Sequence, residues 1–289
     1  MKRIAILGGT GMAGNVAVTY LSELGYDVFF MSLDAPDTGK SKALDATDFP
    51  ALTKWLDTVV PDVVFNCLGT LVKDSEARPD IAILLNSYLP HFLEFKYRNT
   101  KTKIIHLSTD CVFSGSRGGY KETDVPDGET VYDRTKALGE IVNDKNLTFR
   151  MSIIGPDRNA KGIGLFNWFM SQSGIIRGYS KAMWTGLTTI ELARAVDAAI
   201  KQDLTGLYHL VPDKSIDKYS LLILFKKIFG KVDVEIEAYD GFVTDKTLIN
   251  TRTDFDFVVH DYPKQLEDMK DWIENHSELY KHYKMSITG

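Results

Sequence analysis

Tyr132 and Lys136 stand four residues apart in the run Tyr132-Asp133-Arg134-Thr135-Lys136. On a helix that spacing puts a phenol and an ammonium on one face, one turn from each other. An ammonium close to a phenol favours the phenolate and draws its pKa down from about 10 toward the range of a working general acid. Upstream, Ser108-Thr109-Asp110 closes the apolar run Ile104-Ile105-His106-Leu107. At the front of the chain lies a glycine-rich turn, Gly8-Gly9-Thr10-Gly11-Met12-Ala13-Gly14. Each is a weak signal alone. The three in this order point to transfer of a hydride between a nicotinamide and a carbonyl.

Such residues need elements to hold them. Ile4 to Leu7 is a short continuous apolar run, the mark of a strand buried on both faces. Met12 to Leu24 has helical length and spacing and is stopped by Gly25, and Val28 to Met31 reads as a second buried strand. This is a βαβ unit. Within Gly8-x-x-Gly11-x-x-Gly14, the first glycine permits the tight turn, the second lets the backbone approach a pyrophosphate, and the third lets the helix pack on the strand. The helix N-terminus then faces the phosphates. The alternative, a glycine turn without a ligand, fits the position between first strand and first helix less well.

The end of the second strand bears on the cofactor. An acidic residue there would bind the ribose 2′-hydroxyl of NAD. Ser32 occupies that spot, and Asp34 comes two residues late. A hydroxyl tolerates a 2′-phosphate better than a carboxylate does. Lys40 and Lys42 follow in a Gly/Ser/Lys loop, either within reach of that phosphate or as solvated loop charges. The pattern favours NADP(H).

Asp48 or Thr47 caps a helix over Phe49 to Val59, and Asp45 is a candidate for the adenine amino group, with capping as its competing role. Asp62 to Phe65 is a third strand ending at Asn66-Cys67-Leu68-Gly69-Thr70, where a glycine again admits a ligand close to the backbone. The following helix carries Asn86, structural or catalytic, and is kinked by Pro90. Lys103 to Leu107 is a fourth strand that delivers Ser108 and Thr109 at its carboxyl end, the ligand side of a doubly wound sheet. The polar stretch Ser114 to Glu129 is either a lid or a surface loop. A helix over Tyr132 to Asp144 and a strand over Leu147 to Met151 follow. Ser152 to Gly178, with Phe166, Trp168 and Phe169, reads as a substrate-side excursion. Beyond it come a capped helix from Thr188-Thr189 to Lys201, a strand over Leu207 to Val211, a helix over Lys218 to Phe229, a strand over Val232 to Ile236 and an amphipathic helix over Pro263 to His276. The fold class is α/β: a doubly wound parallel sheet over 1–151, completed by 187–211, with a smaller α/β lobe for substrate from 152–186 and 212–289.

Bulk properties narrow the function classes. The chain has 289 residues and a net charge of −5, which leaves no basic footprint for nucleic acid. Its two cysteines, Cys67 and Cys111, imply no disulfide framework and have no zinc-like partner at short spacing, so no metal is expected. The N-terminal apolar run is cut by Gly8-Gly9, too short for a signal peptide. No stretch approaches a membrane span. A cytoplasmic protein is expected.

The motifs GGTGMAG (8–14), PDVVFNCLG (61–69), LSTDCVFSG (107–115), YKETD (120–124), YDRTKALGE (132–140) and WTGLTTIELARAV (184–196) carry a resemblance over nearly the whole chain. It resembles the extended short-chain dehydrogenase/reductases, with their NAD(P)-binding Rossmann fold, in the branch of dTDP-4-dehydrorhamnose reductases and related nucleotide-sugar 4-ketoreductases. The resemblance implies that Thr109 hydrogen-bonds the substrate carbonyl, Tyr132 donates the proton, and Lys136 lowers the pKa of Tyr132 and holds the nicotinamide ribose. Gly8, Gly11 and Gly14 would receive the pyrophosphate, with Thr10, Met12, Ser32, Asp45, Cys67 and Gly69 around the rest of the cofactor. Thr70, Asn86, Arg150, Arg177 and Trp184 would lie on the substrate side. Arg150, Arg177 and Lys181 suit a diphosphate or are surface charges; Trp184 or Phe166 stacks on the base or packs in the core.

Three departures bear on the substrate. Asp133 stands where a small residue commonly follows the tyrosine, Cys111 where a tyrosine is common, and the acid after the second strand is missing. UDP-linked 2-acetamido-2,6-dideoxy-4-keto sugars are therefore as good a reading as dTDP-4-dehydrorhamnose. A nucleotide-sugar epimerase or dehydratase is the alternative within the superfamily, although no acidic pair follows Thr109 as a dehydratase would need. A non-catalytic regulatory subunit is the alternative from another class, and the intact Thr109/Tyr132/Lys136 set argues against it. A two-helix dimer face is common in such enzymes and would make a homodimer.

Overall fold

The computed structural model describes residues 1–283. Residues 284–289, the end of the stretch assigned above to the substrate lobe, lie outside the described residues. In chain order the first half comprises β1 (Arg3–Leu7), α1 (Met12–Glu23), β2 (Asp27–Ser32), β3 (Ser41–Ala43), α2 (Phe49–Val59), β4 (Val63–Asn66), α3 (Val72–Ala77), α4 (Pro79–Ala82), a π-helical turn (Ile83–Tyr88), α5 (Leu89–Tyr97), β5 (Lys103–Leu107) and α6 (Val131–Leu138). The second half comprises β6 (Leu147–Arg150), β7 (Ile153–Ile154), α7 (Leu165–Ser171), β8 (Gly174–Trp184), β9 (Leu187–Thr188), α8 (Thr189–Gln202), β10 (Gly206–His209), β11 (Ile216–Asp217), α9 (Lys218–Ile228), β12 (Val234–Asp245) and α10 (Tyr262–Asn275).

The period of two along β1 divides the core. Ile4 and Ile6 join a cluster with Ala17 and Leu21 of α1 and Leu192 and Val196 of α8. Ala5 and Leu7 join Leu52 and Leu56 of α2 and Leu89 and Leu93 of α5 on the opposite face. Helices therefore cover both faces, as an all-parallel sheet requires. Seven parallel strands run in the order β10-β6-β5-β4-β1-β2-β3. The winding reverses between β1 and β4, which opens a crevice at their carboxyl ends. The glycine turn and Asn66-Cys67 flank that crevice.

Local chemistry sets the helix ends. Asp48 caps α2 by accepting from Ala51 N at 3.0 Å. In α6, Thr130 and Asp133 form a reciprocal capping box. Asp133, out of place against the family pattern, thus closes the helix that carries Tyr132 and is itself buried. α6 stops at Leu138, six residues before the expected end, because Glu140 turns inward to pair with Arg150 of β6 and Ile141 N donates to Thr148 Oγ1 at 3.1 Å.

Three stretches differ from the sequence expectation. Residues 41–43 form an edge strand where a Gly/Ser/Lys loop was expected. β8 and β12 are long parallel partners, part of a separate three-stranded sheet, β11-β8-β12. The loop 114–129 is pinned: Tyr120 is buried and stacks on Phe113 at 4.2 Å, and the Glu122 carboxylate accepts from Thr251 Oγ1 at 2.6 Å. The lobe has its own apolar cluster of Phe166, Phe169, Leu221, Phe225 and Trp272, which also takes in Val16 of α1 and Ile190 of α8. Phe255, Phe257 and Val259 instead return to the large sheet's core.

Candidate active site

The glycine turn is built for close approach. Gly8 adopts φ of +83°, and the N–H groups of Gly8 and Gly9 donate to Met31 O at 2.8 and 3.0 Å. A Cβ on Gly14 would stand 2.0 Å from the Gly8 carbonyl oxygen, so helix and turn touch backbone to backbone. Gly11 caps α1 without a side chain, which leaves the positive helix end open to an anion. The uncapped N-terminus of α1 and the missing Cβ atoms fit a dinucleotide pyrophosphate. Met12 opens α1 with its sulfur toward Gly164. Thr10 N donates to Ser32 Oγ at 3.1 Å, and Thr10 Oγ1 donates to Asp34 at 2.5 Å. Lys40 is paired with Asp27 and sits over the Phe29 ring, while Lys42 pairs with Asp37 at 2.7 Å. Both lysines thus have carboxylates of their own in this structure, and Asp34 is an acid held at the glycine turn. Asp45 is exposed and accepts from the N–H and hydroxyl of Thr47, the capping-type role weighed against adenine recognition.

Thr109 follows β5 in extended conformation. Its oxygen accepts from Cys111 N at 3.1 Å, and its hydroxyl donates to Asp110 Oδ1 at 3.1 Å. The Tyr132 phenol, in the first turn of α6, is driven well above its ordinary range by burial, with Cys111, Asp110 and Asp133 adding to the rise; the neighbouring Thr109 hydroxyl opposes it by favouring the phenolate. The Lys136 ammonium donates to Leu107 O at 2.6 Å, and burial holds its pKa at about 8, against the pull of Glu140 and Cys67. Cys67, at the end of β4, is a thiol pushed up by burial. Gly69 faces the Lys136 ammonium: a Cβ there would lie 3.8 Å from Nζ.

Beside this group lies a cavity of about 620 Å³ between core and lobe. Asp110 and Cys111 form its inner end, and Trp184, Arg177, Lys218 and Lys246 line its lobe side. Three cations face one carboxylate. Lys218 Nζ lies 4.1 Å from the Trp184 ring centroid. Burial depresses Lys218 to about 8, opposed by Asp110 and Cys111, and burial raises Asp110, opposed first by Lys218 and then by Lys246. Cys111 is pushed up to about 12, chiefly by burial.

Residues 1–240 match the family model described as RmlD substrate binding domain. The chain belongs to that family. Among curated proteins, this RmlD-family chain is 32% identical over 157 residues to the probable low-salt glycan biosynthesis reductase Agl14 of Haloferax volcanii, covering 52% of each chain. It is 33% identical over 162 residues to dTDP-4-dehydrorhamnose reductase of Salmonella typhimurium, covering 52% of this chain and 54% of that one. The chain thus spans about half the length of these curated relatives. The solved dTDP-4-dehydrorhamnose reductase of Bacillus anthracis in complex with NADP has the same fold, with a TM-score of 0.80 at 20% identity, over 94% of this chain and 99% of that chain.

The RmlD-family scaffold assigns several expected residues elsewhere. Arg150 does not line the cavity. It is 3% exposed, and its guanidinium grips both oxygens of Glu140 at 2.6 Å. Asn86 is fully buried in the π-helical turn and spends its amide on Thr70 N (2.9 Å), Thr70 Oγ1 (3.1 Å) and Thr135 Oγ1 (3.0 Å). Thr70 is consumed by the same lock, its hydroxyl also meeting Ser75 at 2.7 Å. Asn86 and Thr70 therefore brace α6 rather than line the cavity. Arg177 and Trp184 do line it, whereas Phe166 packs in the lobe core and Lys181 faces Asp240. Sequence reasoning missed Lys218 and Lys246, which carry no local signature. It also missed the grouping of Glu191, His260 and Asp268, where Arg194 already bridges the two acids.

Proposed function

We propose that this chain reduces the C4 ketone of a nucleotide-linked 4-keto-6-deoxy sugar, of the dTDP-4-dehydrorhamnose or UDP-2-acetamido-2,6-dideoxy-4-keto-hexose type, for surface-polysaccharide sugars. The observation that carries the reading is the junction of buried Thr109 and half-buried Tyr132 with a cavity that sets three cations against one carboxylate. A nucleoside diphosphate brings two negative charges, and an uncharged sugar adds none. The names of the relatives, reductases of glycan and dTDP-sugar metabolism, support the same class.

NADPH, favoured over NADH, would supply the hydride when bound. Gly8, Gly11 and Gly14 would hold its pyrophosphate and Lys136 its nicotinamide ribose. Tyr132 gives its proton to the substrate oxygen, and Thr109 donates a hydrogen bond to the charge building there. Burial keeps the phenol protonated until that moment. Arg177 and Lys246 would meet the diphosphate, and Trp184 would shape the sugar side. No helix among the described residues is long and apolar enough to cross a membrane. The substrate class suits the cytoplasm, and the exposed Phe95 of α5 and Leu138 of α6 support a homodimer through that helix face.

The test is oxidation of NADPH, and of NADH in parallel, with dTDP- and UDP-linked 4-keto-6-deoxy sugars made in situ. Tyr132→Phe is expected to lower kcat by about 100-fold or more, the usual weight of a positioned acid, with cofactor affinity little changed. Near-full turnover by that variant would remove Tyr132 from the role. Wild-type protein that turns over none of the sugars would refute the reductase reading.

A further inference from the structure

During reduction the Thr109 hydroxyl has to serve the substrate oxygen, yet in this structure it donates to Asp110. Asp110 is a buried carboxyl at the inner end of the cavity, one residue from the reacting pair. Such a group creates two difficulties. As a carboxylate it repels the negative charge that builds on the substrate oxygen, and it already pushes the Tyr132 phenol upward. As the acceptor of the Thr109 proton it competes with the substrate oxygen, since a hydroxyl has a single proton to donate.

The groups facing Asp110 come from two sides. Thr109 and Cys111 on its own segment hydrogen-bond it, and Lys218 and Lys246 act from the lobe, Lys218 more strongly. Lys218 is the first residue of α9, directly after the capping Asp217. Its ammonium is held over the Trp184 ring and faces Asp110 and Cys111, with Arg177 and Lys246 on the same cavity wall. We propose that Lys218 is a positioning residue for the reduction: its ammonium holds the Asp110 carboxylate, so that the Thr109 hydroxyl turns from Asp110 to the substrate oxygen and the charge growing there is not opposed. The inference rests on the reductase reading above and adds a role that binding of the diphosphate does not require.

The experiment compares kcat, KM and their pH profiles for wild type, Lys218→Met, Lys218→Arg and the double variant Asp110→Asn/Lys218→Met, using whichever dTDP- or UDP-linked sugar the wild type reduces. Lys218→Met is expected to lower kcat about tenfold or more, the scale of losing one opposite charge beside a buried carboxylate, and by a larger factor than it raises KM. Its profile should gain an ionisation on the acid-to-neutral side, from an Asp110 no longer held as a carboxylate. Lys218→Arg should restore kcat. The double variant should exceed Lys218→Met, because asparagine carries no charge that needs a cation and competes less strongly for the Thr109 proton. A Lys218→Met protein with raised KM and intact kcat would overturn the proposal in favour of simple diphosphate binding. So would a double variant no better than the single one. If the wild type reduces no sugar, the reductase reading fails, and this inference with it; if the wild type is active and only the variants disagree, this inference alone fails.

Discussion

Arg150→Met separates a structural arginine from a substrate contact. In the native protein Nε and Nη2 of Arg150 each lie 2.6 Å from a Glu140 oxygen, with the two side chains 3% and 6% exposed. Ser108 Oγ donates to the same carboxylate at 2.6 Å, and Nη1 faces His209 Nε2 at 3.4 Å. Removing the guanidinium leaves a buried carboxylate with one hydroxyl donor and no opposite charge from β6. Breaking a buried pair from one side costs about 3–5 kcal/mol. At about 2 °C per kcal/mol for a chain of this size, the unfolding midpoint should fall by about 6–10 °C. Calorimetry at pH 7 reads the midpoint, and steady-state kinetics at a permissive temperature reads KM for the nucleotide sugar. The expected result is a large loss of stability with KM unchanged. Adding Glu140→Gln should recover part of the loss, since no charge is then left unpaired. An unchanged midpoint with a strongly raised KM would refute the reasoning and return Arg150 to the substrate.

Two further outcomes follow from the charges around the site. Lys136 and Lys218 are held near 8 when folded, against about 10.4 in the unfolded chain. The unfolded chain therefore binds more protons between these values, and stability should rise as pH climbs from about 8 to 10. Above about 10 it should fall, because the buried Tyr97, Tyr132, Tyr262 and Tyr283 stay protonated only in the folded chain. Urea unfolding across this range should show a shallower rise for Lys136→Met; an unaltered slope would contradict the assignment. At the glycine turn, Asp34 presents a carboxylate beside Thr10. Asp34→Asn should raise kcat/KM for NADPH relative to NADH, and a ratio that stays constant or falls would show that Asp34 does not face the 2′ position.

Much of the scaffold could be read from the chain alone, because its signals are local. The continuous run Ile4 to Leu7, the glycine spacing after it and the cap at Asp48 each act within a few residues, and α2 and β5 fall on the expected ranges. The family motifs likewise brought Thr109 and Tyr132 together before any geometry was known, since the strand end and the helix start are each recognisable in isolation. Partnerships between distant segments were beyond such reading. Asp133 looked anomalous until Thr130 was seen to share its hydrogen bonds. Arg150 looked like a phosphate contact because an arginine carries the same charge whether it faces solvent or Glu140. Lys218 marks only a helix start in the sequence, and the docking of the lobe brings it across from Asp110, 108 positions away in the chain. Spacing and periodicity determine which elements form and which face each side chain takes. Burial and charge pairing depend on which elements then meet, and in this chain the meeting of core and lobe decided the electrostatics around Thr109 and Tyr132.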